Sequence, residues 1–245
     1  MVFEELRDRV RRFFWFTSVE ITGFVLLVVV ASFVYSFDKW GVESFDFFFG
    51  LENWLWSLVL FGFIIFIHHA AQRVCALQYG FRAEHSVWWY GLMGSVLLSV
   101  LSNGWIKWYA FSGVMIQLLP VQRLGRFRYG PNVQSFANVA AMGPVANVCA
   151  AAVVKTISWL VPLPGWFVDE WFTQNLIFAA WNMLPIPPLD GSRMLYASRL
   201  FYVFVFGALF GYVLLVGFGI YSFVFAVLLG LLAWFLFYYY VEREQ

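Results

Sequence analysis

Trp181-Asn-Met-Leu-Pro-Ile-Pro-Pro-Leu-Asp-Gly-Ser-Arg193 is the stretch around which the chain is organised. An apolar run, Leu176 to Leu184, leads into it, and another apolar run follows. Pro185, Pro187 and Pro188 stop a helix, because each lacks an N–H and restricts the residue before it. The flanking hydrophobicity keeps the break near bilayer depth. Irregular backbone survives there only inside protein or beside a water-filled cavity. Asp190 follows the break, and a carboxylate at such a place is a functional-site hypothesis by default. The plain alternative is a turn whose Asp190 caps the next helix.

The composition fits that reading. Of 245 residues, 62% are hydrophobic, 22% aromatic and only 12% charged, with a net charge of +1. This is the make-up of a polytopic membrane protein. No basic stripe with stacking aromatics suggests nucleic acid. The membrane segments use nearly all the length, which leaves no room for a soluble domain of usual size. Cys75 and Cys149 both lie in apolar segments and are expected as free buried thiols.

Asp190 needs a partner, and the helix ending Ile67-His-His-Ala-Ala-Gln-Arg-Val-Cys75 offers one. His68 and His69 are adjacent deep in an apolar segment. A lone buried histidine is more often a satisfied core residue than a ligand. Two in hydrocarbon each need a hydrogen-bonding or metal partner.

Three stretches together carry a family resemblance. Gly143-Pro-Val-Ala-Asn147 gives G-P-x-x-N, and Asn182 to Gly191 gives N-x-x-P-x-P-x-L-D-G. His68 to Gln72 stands where the pattern has H-E-x-x-H, and Ala76 to Glu84 looks like the segment that follows it in compact prokaryotic members. The chain, over roughly residues 55–195, resembles the site-2 protease family of intramembrane zinc metalloproteases. The resemblance implies that His68 and Asp190 are zinc ligands and that Asn182 steadies the substrate carbonyl or oxyanion. It also implies a departure. His69 stands at the general-base glutamate and Gln72 at the second ligand histidine.

Residues i and i+4 of a helix share a face, which is how H-x-x-x-H grips one ion. Here that face holds His68 and Gln72, and a glutamine amide is a poor zinc ligand. His69 points about 100° away from His68, so it does not simply replace the missing ligand. As a base it has a suitable reference pKa. Two good ligands remain where a catalytic zinc normally has three. The expectation is therefore a pseudoprotease that binds transmembrane client helices, with an active zinc metalloprotease, or a metal or solute pathway, as the other readings. Zinc is the cofactor if the site is active, and none is needed otherwise.

The expected fold is all-α, about six transmembrane helices plus a re-entrant or β-hairpin element. Residues 1–17 form an interfacial amphipathic segment, with Phe3, Leu6, Val10 and Phe13 at helical spacing among arginines. Residues 18–198 form the site-2-protease-like membrane core, and 199–245 the C-terminal transmembrane helices. Spans are expected at 18–37, 54–78, 135–161, 171–185, 199–219 and 221–240, with a further apolar stretch at 86–103. The first span is read as uncleaved. Residues 105–119 are aromatic and partly alternating, and supply the hairpin or re-entrant element. Resemblance gives this element an edge that receives an unwound substrate strand. Residues 38–53 and 162–170 read as acidic loops, and Gln122 to Asn132 as a basic one. Arginines gather on the side of the N-terminus, which places both termini in the cytoplasm, and the resemblance to compact prokaryotic members implies a prokaryotic cell membrane. The partners are the lipid bilayer and a transmembrane client or substrate.

Overall fold

The computed structural model describes residues 2–41, 44–119 and 132–243. Its elements run α1 (Val2–Phe13), α2 (Ser18–Ser36), α3 (Phe47–Tyr79), β1 (Phe81–Val87), α4 (Trp89–Leu101), β2 (Ser112–Leu118), α5 (Val133–Leu160), α6 (Gly165–Asn182), α7 (Asp190–Ala197), α8 (Arg199–Gly217) and α9 (Phe223–Phe237). A π-helical turn, Tyr238–Glu242, extends α9. Five helices, α2, α3, α5, α8 and α9 with its turn, are long and apolar enough to cross a membrane, consistent with an integral membrane protein. Of the expected basic loop only Asn132 lies within the described residues.

The central helix is α3. Its 33 residues span about 50 Å at 1.5 Å each, well beyond a hydrocarbon core of about 30 Å. It starts earlier than the expected residue 54, because Asp46 caps it: Oδ1 accepts the Phe49 N–H at 3.1 Å. The aromatic end of the acidic loop is thus helix. Gly80 ends α3 at φ 81°, a left-handed conformation that favours glycine.

The strand pair is not a local hairpin within 105–119. β2 pairs antiparallel with β1, from Phe81 opposite Leu118 to Val87 opposite Ser112, and α4 lies between them in sequence. The 13 residues of α4 reach about 20 Å, too short to cross alone. α6 begins at Gly165, inside the expected loop, and carries Asp169, Glu170, Gln174 and Asn175. Those groups keep it out of the set of five, though it packs among them.

One apolar cluster packs α3 against α2 and α6, and a second lies among α5, α6, α7 and α8. Leu27 and Val34 of α2 meet Phe61 and Ile64 of α3 and Phe178 of α6. Beside them Ala137 and Ala140 of α5 pack on Met183 and on Met194 of α7. Small residues on α5 bring its backbone close to α3. Cys75 and Cys149 are both free thiols, but only Cys75 is buried; Cys149 lies on the outer face of α5.

Candidate functional site

The break brings Asp190 to His68. Asp190 is the first residue of α7, but Leu189 is the cap and no side chain caps the helix. The Asp190 carboxylate turns inward, and its Oδ2 lies 2.8 Å from His68 Nε2. Both side chains are buried. Gly191 makes this turn possible, since a Cβ there would collide with the Met183 carbonyl. Capping is therefore not what Asp190 does.

A chain of amides fixes the other side of His68. Asn175 Nδ2 donates to Trp171 O at 2.8 Å, so Asn175 Oδ1 faces Asn147 and accepts its Nδ2–H at 2.9 Å. Asn147 Nδ2 also donates to Ile64 O at 3.1 Å. Its Oδ1 is left to accept from His68 Nδ1–H at 2.8 Å. The tautomer follows from the amide orientations: Nδ1 carries hydrogen, and Nε2 faces Asp190. A ligand histidine held through its other nitrogen is the usual arrangement around a metal.

The same helix explains the rest of G-P-x-x-N. Gly143 lets α5 approach: a Cβ there would lie 2.8 Å from Gln72 Nε2 and closer still to His68 Nε2. His68 and Gln72 therefore share the face that the i, i+4 spacing requires. Pro144 has no N–H, so Ala140, four residues earlier, has a carbonyl free of its usual helical partner. Gln72 Nε2 donates to that carbonyl at 3.2 Å.

Around His69 and Gln72 the arrangement is less familiar. His69 turns away from His68 and stacks on His85 of β1, with ring centroids 3.7 Å apart and planes at 19°. His69 Nε2 is buried and, among the described residues, has no hydrogen-bond partner. His85 Nε2–H donates to Gln72 Oε1 at 3.0 Å. The His85 backbone N–H donates to Glu20 Oε1 at 3.2 Å, and Glu20 is ion-paired with the fully buried Arg73. Burial, then the nearby Arg73 charge, holds the His85 imidazole well below its ordinary pKa and neutral. Glu20 also closes a capping box with Thr17 at the start of α2.

Asn182 is buried on α6. One Nδ2 hydrogen goes to Phe178 O at 2.8 Å, and Oδ1 has no partner among the described residues. Among the described residues it makes no hydrogen bond to His68 or Asp190.

The structure thus joins His68 to Asp190 and places Gln72 beside them. Sequence reasoning missed Asn175 and His85. Asn175 is a polar residue in an apolar run, seven residues before Asn182 and so near the same helix face. His85 is the third of three histidines in the chain. That count was the available signal, since all three rings meet here: His68 and His69 centroids are 5.9 Å apart.

A catalytic zinc needs three protein donors and an open position. The donors here are one imidazole and one carboxylate. Gln72 offers an amide whose Oε1 and Nε2 are both engaged. Among the described residues no group of three or more His, Cys, Asp or Glu side chains could hold a metal ion. The residues present do not fit a three-ligand zinc.

Comparison with known proteins gives one relationship. The chain is 29% identical over 206 residues to a protein of Methanocaldococcus jannaschii named "Putative zinc metalloprotease", covering 82% of this chain and 96% of the relative. No family model and no solved structure matches the chain. The relationship supports kinship with zinc metalloproteases, and the apolar helices are consistent with an integral membrane protein.

Proposed function

We propose that this protein is a site-2-protease-like pseudoprotease. It keeps the fold and the substrate-facing parts of an intramembrane metalloprotease, and holds transmembrane client segments without cutting them. The observation that carries this reading is Gln72, with its amide bonded to Ala140 O on one side and His85 on the other. A general base at position 69 is also lost, because His69 is stacked against His85 rather than facing His68. General-base assistance contributes roughly 10²–10⁴ in rate, so its loss compounds that of a ligand.

Client capture rests on the strand pair. Among the described residues β2 is flanked by β1 on one side only, which leaves an edge for strand addition. Met115 and Leu118 on it are exposed. Its Gly113 abuts Pro188 of the break, so a strand laid here would lie next to the His68–Asp190 pair.

The competing reading is an active enzyme with unusual ligands. It is favoured by the 29% identical relative and by the oriented His68–Asp190 pair. One experiment separates them. The protein is placed in proteoliposomes with a transmembrane reporter carrying a photocrosslinker. Crosslinking to β2 without cleavage, unchanged in Asp190→Asn, is the expected result. Cleavage lost in Asp190→Asn supports the enzyme instead.

A further inference from the structure

We infer that His85 is a built-in lock on the second-ligand position, and that His69, Gln72 and His85 act as one unit that keeps the site free of metal. The inference deepens the pseudoprotease reading and rests on it.

His85 is fixed by three contacts. Its backbone N–H donates to Glu20 Oε1 at 3.2 Å. Its ring face lies on His69, and its Nε2–H bonds Gln72 Oε1. Glu20 is itself held by Arg73, whose guanidinium donates to Phe14 O and Trp15 O at 3.0 and 2.8 Å. A side chain anchored this way does not drift aside when its neighbour changes.

The donor direction makes it a lock. Gln72 Nε2 already donates to Ala140 O, so His85 must donate to Oε1. Consider an imidazole at position 72. One of its nitrogens keeps Ala140 O as acceptor. The other presents its lone pair where Oε1 now stands, and His85 Nε2–H takes it. That lone pair is the one a metal needs. A carboxylate at position 69 would meet the same imidazole, because ring 69 now lies 3.7 Å from ring 85. The site was therefore not simply stripped of two residues. A third residue on β1 fills the place they left.

The consequence is that restoring the two ligand-helix residues is insufficient. Purified protein is compared as the unchanged chain, as His69→Glu with Gln72→His, and as that pair with His85→Ala or His85→Ser. Zinc per chain is measured after dialysis against a series of buffered zinc concentrations. The pair is expected to bind zinc at least about tenfold more weakly than either three-residue variant, a loss on the scale of outer-shell effects. Equal affinity of two- and three-residue variants overturns the lock. So does weaker binding on removing His85, which would make it a ligand, or no zinc in folded three-residue variants. If these variants do not fold, thermal midpoints of Gln72→Ala, His85→Ala and both together in the otherwise unchanged chain decide. Non-additive shifts are expected, and additive ones overturn the lock. One tightly held zinc in the unchanged chain defeats the pseudoprotease reading itself, a separate outcome.

Discussion

His68 Nδ1 donates to Asn147 Oδ1 at 2.8 Å, across the contact between α3 and α5. This single bond fixes the tautomer of the one histidine that faces Asp190. It also gives G-P-x-x-N a physical content: glycine for approach, proline to free a carbonyl, asparagine to orient an imidazole.

Asn147→Ala should leave His68 Nδ1 and Asn175 Oδ1 buried without partners. An unsatisfied buried polar group costs about 1–3 kcal/mol, and two are exposed to that loss here. Unfolding in detergent is the check. A shift within the scatter of surface variants contradicts the network.

Gly143→Ala should destabilise by about 1–3 kcal/mol, because the added methyl meets His68 and Gln72. Gly62→Ala is the control, with nothing within 4 Å of its Cβ. It should be neutral, or stabilising by up to about 1 kcal/mol through helix propensity. Similar losses at both positions would remove the close-approach argument.

Arg73→Ala strands the Glu20 carboxylate inside the protein, and breaking a buried pair this way costs about 3–5 kcal/mol. Arg73→Met with Glu20→Gln should cost less than Arg73→Ala alone. A double-mutant cycle measures the coupling. Additive losses would show that the two charges act separately.

Single cysteines in a Cys75→Ala, Cys149→Ala background should report the orientation. Position 45 should react with an impermeant maleimide only from outside, and position 7 only from the cytoplasm. The basis is the arginine excess on one side of the spans. Labelling of position 45 from the cytoplasm alone reverses the topology.

The parts of the fold legible in sequence were those set by long apolar runs and by local breaks. The proline triplet placed the end of α6 near Asp190, and helical spacing put His68 and Gln72 on one face. Element starts were less legible. Asp46 and Pro164 extend α3 and α6 into stretches whose aromatics and acids read as loops. The pairing of β1 with β2 was hidden because α4 separates them, and pairing across a helix leaves no local signal. His85 was hidden for the same reason. Its contacts with His69 and Gln72 depend on β1 folding back along α3, which spacing within α3 does not reveal.

The central claim is that the site holds no catalytic metal, and zinc analysis of the purified, unchanged chain tests it most directly. Well under one zinc per chain after dialysis against a mild chelator, unchanged by Asp190→Ala, is the expected result. One zinc per chain that survives dialysis and is lost in Asp190→Ala would contradict it.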